Sequence, residues 1–168
     1  FVFSILCIGS IGAQQAAMTA IPDVKEKVEV VKRPRSVKNA DDFYLAKEYS
    51  EAIDHFKKAY SKVKTREEKA EIAHRLAECY KFTFNYRAAE AQYKRAIKLK
   101  QAIVDNYLGV AEMLKYQGEY EEAIVAYNDL LKVFPNDTRG QIGIESSKDA
   151  VLWENEAKIP RYQVGNLT

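Results

Sequence analysis

Between Ser36 and Phe134 the chain repeats one pattern three times, and no other feature restricts its fold as much. The segments Lys47-x-Tyr49-x-x-Ala52-Ile53-x-x-Phe56-x-x-Ala59-Tyr60 and Phe84-x-Tyr86-x-x-Ala89-Glu90-x-x-Tyr93-x-x-Ala96-Ile97 align without gaps. Gly118-x-Tyr120-x-x-Ala123-Ile124-x-x-Tyr127-x-x-Leu130-Leu131 is the third copy. Their first alanines, Ala52, Ala89 and Ala123, are 37 and 34 residues apart. Each copy follows a second helical stretch with a small residue at an equivalent place: Ala40, Ala77 and Ala111. Spacings of three and four put Ala, an aromatic ring and Ala on one helical face. Small residues let paired helices approach closely, and rings fill the wedges between pairs. Units of this kind bury their faces against their neighbours in a stacked array. The expected fold class is therefore all-α, an α-solenoid of three helix–turn–helix units with a capping helix.

The breakers agree. All four prolines (Pro22, Pro34, Pro135, Pro160) lie outside the repeating block, which holds only Gly109 and Gly118. Seven of the eleven tyrosines, Tyr49, Tyr80, Tyr86, Tyr93, Tyr107, Tyr120 and Tyr127, sit at repeat positions, which assigns them to packing. Lys and Arg number 26 against 24 Asp and Glu. So even a balance gives no sign of nucleic acid as a partner.

The pattern resembles the tetratricopeptide repeat, a 34-residue helix–turn–helix unit whose small–Tyr–Gly–Tyr–Ala–aromatic–Ala–Pro signature is nearly complete in the third unit, ending at Pro135. The resemblance covers units at about 33–66, 70–103 and 104–137. Lys47 and Phe84 replace the turn glycine, and three extra residues separate units one and two. It implies a non-catalytic protein–protein interaction scaffold whose first helices line a concave groove. On that face Asp41, Glu78 and Glu112 form one column and Tyr44, Lys81 and Lys115 the next, with Leu45, Phe82 and Tyr116 alongside. His74 and Leu108 occupy the row before, beside Val37. Members that clamp a peptide's terminal carboxylate use Lys and Asn where this chain has Val37, Asp41, His74, Glu78 and Glu112. A terminal carboxylate is therefore expected to be repelled, and a basic, partly apolar segment received.

No Gly-x-Ser-x-Gly elbow, Gly-rich phosphate loop or His-Glu-x-x-His occurs. The histidines are His55 and His74. His74 and Glu78 are spaced i, i+4, which suits an ordinary surface pair better than a two-ligand metal site. Cys79 is expected to pack as a small buried residue. No catalytic, cofactor or metal site is expected, and the chain is read as no enzyme.

Residues 1–13 (FVFSILCIGSIGA) carry no charge and are too few to span a membrane, which takes about 20 residues. They suit the h-region of an export signal without its basic n-region, cleaved after Ala13. Leu6 before Cys7 is not the small residue that lipidation favours. Residues 14–35 read as a linker. After the third unit, Asn136-Asp137-Thr138 can cap a helix over 137–156, with Ile142, Ile144, Val151, Leu152 and Trp153 as its apolar contacts. Residues 157–168 then lead toward a further domain.

A signal, a short array, a capping helix with a late Trp and Pro160-x-Tyr162-x-Val164-x-Asn166-Leu167 resemble the N-terminal segment of a Bacteroidetes OmpA-family envelope protein. There the array precedes a propeller and an OmpA-like peptidoglycan-binding domain, and relatives serve type IX secretion and gliding. This implies a periplasmic, outer-membrane-associated site, partners among the secretion machinery, and peptidoglycan contact only through a domain this chain lacks. A free-standing periplasmic adaptor, or the accessory arm of an envelope enzyme, stays open as an alternative.

Overall fold

The computed structural model describes residues 34–99 and 101–157. The expectations for residues 1–13, for most of 14–35 and for 158–168 lie outside them. Among the described residues seven helices follow one another: α1 (Arg35–Leu45), α2 (Tyr49–Lys62), α3 (Arg66–Phe82), α4 (Tyr86–Lys98), α5 (Val104–Tyr116), α6 (Tyr120–Val133) and α7 (Thr138–Ala157). Each packs on its successor, as in a solenoid stabilised by nearest neighbours. The small residues that define the pattern are all fully buried: Ala40, Ala77 and Ala111 on the first helices, Ala52, Ala89 and Ala123 on the second. Phe56, Tyr93 and Tyr127, equivalent rings in the three units, are at most 3% exposed.

The turn inside each unit has the same hydrogen bonds. Glu48 N–H donates to the Phe43 carbonyl, Asn85 to Tyr80 and Glu119 to Leu114, at 2.9–3.0 Å. The residue before each donor is left-handed: Lys47 at φ 62°, Phe84 at 59° and Gly118 at 80°. Lys47 and Phe84 thus adopt the glycine geometry, so all three turns are equally tight. The cost is of the order of 1 kcal/mol at each side-chain-bearing residue.

The three extra residues become helix. Ala70 is equivalent to Val104, where α5 starts, but α3 already starts at Arg66. Thr65 Oγ1 accepts from Glu68 N–H at 3.2 Å and donates to the Glu68 carboxylate at 2.8 Å, capping the added turn. Arg66 donates to the Lys98 carbonyl at 2.6 Å, satisfying an end of α4.

α7 packs only in part as expected: Ile144 lies against the core and Val151 is half-buried. Ile142, Leu152 and Trp153 are 66%, 60% and 76% exposed, so they are not its contacts. Its buried residues are Gly140, Gly143 and Ser147. Tyr127, Leu130 and Leu131 of α6 already fill the space, leaving room only for small residues opposite them. The same device joins units two and three, where a Cβ on Gly109 would come within 2.6 Å of the Tyr93 ring. On this contact side α7 is the first helix of a fourth unit. On its far side Glu145 stands where Ala111 does in α5, and Lys148 where Leu114 does, both exposed. Charge thus stands in α7 where the other units keep small or apolar residues for close helix approach.

Candidate functional site

The first helices α1, α3, α5 and α7 carry the residues singled out in the sequence. The two charged columns turn out to be one ladder. Tyr44 Oη donates to the Glu78 carboxylate at 3.1 Å, Lys81 Nζ to Glu112 at 2.7 Å, and Lys115 Nζ to Ser146 Oγ at 2.6 Å. In each rung a donor near the end of one first helix reaches an acceptor on the next. Asp41 is engaged as well. Glu78 and Glu112 are therefore held by neighbours within the array rather than standing open to a basic segment, as the columns alone suggested. The charges of Glu78 and Glu112 are met within the array, by Arg75 and Lys81.

Around Glu78 the network is dense. Arg75 donates to Glu78 at 3.2 Å and lies over the Tyr44 ring at 4.8 Å. Burial, then the Glu78 charge, pushes the Tyr44 phenol up to about 12. Burial opposes the Arg75 charge, but Glu78 and Tyr44 outweigh it and raise that group. His74 Nδ1 lies 2.7 Å from Asn106 Oδ1, and Asn106 Nδ2 donates to the Gln101 carbonyl. With the Asn106 amide so oriented, Nδ1 carries the proton and Nε2 faces Glu78 at 3.6 Å. That approach is an ion pair only with the ring doubly protonated, and among the described residues no group of three or more His, Cys, Asp or Glu is placed to hold a metal ion. Cys79 is fully buried, and burial followed by the Glu78 charge raises its thiol to about 12. A thiol held protonated is a poor nucleophile.

What the face leaves open is a row of apolar side chains. Leu45 is 75% exposed, Phe82 48% and Tyr116 57%. Phe82 stacks on Tyr49 at 4.6 Å between centroids and Tyr116 on Tyr86 at 5.0 Å, so the rings are held rather than swinging. Val37 is buried in the core, which removes it from the open surface, and Leu108 is half-buried against it. Sequence reasoning missed Arg75, Asn106 and Ser146. Asn106 could have been found, because it is polar where the equivalent residues are Ile72 and Gly140.

The comparisons with known proteins agree with this geometry. Residues 70–103 and 104–137 each match the family model described as Tetratricopeptide repeat. Units two and three are tetratricopeptide repeats. The first unit shares their turn and their buried alanines. No curated protein matches the sequence. The first tetratricopeptide domain of human RPAP3 is 17% identical with a TM-score of 0.60, over 73% of this chain and 94% of that one. The Sgt2 domain from Aspergillus fumigatus is 18% identical at 0.60, over 79% and 88%. The second domain of human RPAP3, solved in complex with the HSP70 peptide SGPTIEEVD, is 16% identical at 0.57, over 67% and 92%. Identities this low carry the fold alone.

Proposed function

We propose that the chain is a non-catalytic protein-interaction scaffold whose first-helix face receives a segment of a partner protein. The observation that carries this is the exposed row Leu45, Phe82 and Tyr116, its two rings supported by stacking, beside charges that satisfy one another. A surface so arranged offers apolar contact area at little ordering cost. A domain of the same fold that holds a peptide, the second of RPAP3, supports the mode of binding. The chemistry differs here: with the ladder closed, affinity comes from the apolar row and main-chain contacts rather than from an ionic clamp.

The finer reading is an exported arm of an outer-membrane-associated anchor of secretion machinery, with envelope proteins as partners. Its support is the uncharged run at 1–13 and the motif from Pro160 to Leu167.

Replacing Glu78 or Glu112 would break the ladder, so the test belongs on the row. Phe82→Glu with Tyr116→Glu is expected to abolish co-purification of envelope proteins with the chain, while Val125→Glu on α6, at an equally exposed site, leaves it intact. Unchanged recovery with the double variant would overturn the reading.

A further inference from the structure

One position near the end of each second helix differs between the units. Tyr60 in α2 and Ile97 in α4 are equivalent. The Tyr60 ring packs against the core between units one and two, with Lys69 Nζ 5.8 Å and the Arg95 guanidinium 5.5 Å from its centroid. Ile97 is shorter, and beside it a cavity of about 240 Å³ opens between units two and three. Half-buried Ile97, Tyr107 and Ala126 and buried Val110 form its apolar floor, and exposed Lys94, Lys98 and Asp129 its rim. Tyr107 is braced edge-on by Phe134 at 5.9 Å between centroids. The volume falls under the roughly 300–1,000 Å³ of small-molecule pockets and suits one large side chain.

We infer that this cavity docks an aromatic side chain from an acidic segment of a partner protein, seated where unit one holds its own Tyr60. It is a second docking site, at the junction of α4, α5 and α6, and does not rest on the row Leu45, Phe82 and Tyr116. The floor calls for a ring, which packs against Tyr107 and covers a large area with only two torsions to freeze. Charge decides the flanks. Two rim charges are already met, Lys94 by Glu90 at 2.6 Å and Asp129 by Lys132 at 2.7 Å. Lys98 has no carboxylate partner among the described residues, and Arg66 donates to its carbonyl at 2.6 Å. Across α4, Lys69 and Arg95 cover Tyr60. These four cations face only Glu67 and Glu68 at the start of α3, and Glu68 is already bonded to Thr65. A basic segment would add to that excess, whereas carboxylates beside the ring meet it and speed the encounter.

The test is a titration of the whole chain with acetyl-Glu-Phe-Glu-amide, followed by amide NMR shifts. Shifts confined to residues 94–98, 107–110 and 126–129 are expected, and they are lost when alanine replaces the phenylalanine. Octanoate, an aliphatic anion, is expected to bind about fivefold more weakly. Ala126→Leu grows into the cavity from α6 and is expected to abolish the shifts. Lys98→Glu, on the exposed rim, weakens binding about fivefold without altering packing. Shifts that are absent or spread over every basic surface, octanoate binding as tightly as the peptide, or titrations unchanged in both variants would overturn the inference. Phe82→Glu with Tyr116→Glu leaves this titration intact, so failure of the pocket and failure of the first-helix face are told apart.

Discussion

Tyr93 lies over Gly109 with no room for a methyl group between them, and that contact fixes how closely units two and three approach. Gly109→Ala sets two effects against each other. Alanine gains about 1 kcal/mol of helix propensity, but overpacking a filled interface costs about 1–3 kcal/mol. Urea unfolding is expected to show net destabilisation, relieved when Tyr93→Leu is added. A second residue-scale effect concerns protons. Cys79 rises from 9.0 to about 12 in the fold, and Tyr44 and Tyr127 rise from 10.0 to about 12, burial being the first cause for each. Groups raised by folding contribute fully below their unfolded values, and the contribution is lost as the pH rises through the folded ones. Stability measured by urea midpoint is expected to fall steadily between about pH 9 and pH 12, and less steeply in Cys79→Ala. A flat profile would contradict the burial of these groups. Part of this scale was legible in the sequence: the alanines and rings announced their burial by spacing. The ladder was not. Aligned positions suggest columns of like residues, whereas long side chains reach diagonally, from Lys81 to Glu112 and from Lys115 to Ser146.

At the scale of the element, the turns of units one and two carry strain that the third does not. Lys47 and Phe84 hold left-handed backbone, and the Phe84 side chain is 77% exposed with little packing to lose. Lys47→Gly and Phe84→Gly are each expected to stabilise the chain by about 1 kcal/mol, less the added freedom of glycine in the unfolded state. Chemical denaturation checks this; a loss of stability in both would mean that those side chains make contacts worth more than the strain. The α7 helix shows why an element's existence can be read more easily than its packing. The Asn136-Asp137-Thr138 start was readable as a capping site, and Asp137 indeed accepts from Arg139 N–H at 2.9 Å. Of its contact face hydropathy found Ile144 but not Gly140 or Gly143, because size decides a surface opposite Tyr127 and Leu131.

For the molecule as a whole, the repeat period made the architecture legible, since a face that recurs every 34 residues must be buried by its neighbour. The groove was harder, because a charged column in the sequence does not say whether its charges are spent internally. The structure answers that for Glu78 and Glu112, and the proposed docking surface therefore rests on Leu45, Phe82 and Tyr116. The most direct measurement of that claim is site-specific photo-crosslinking in the source cell, with a benzophenone side chain at Phe82, at Tyr116 or at Val125. Discrete crosslinked partners from positions 82 and 116, with none from 125, are the expected result. Equal crosslinking from all three positions, or none from 82 and 116, would contradict a docking surface on the first-helix face.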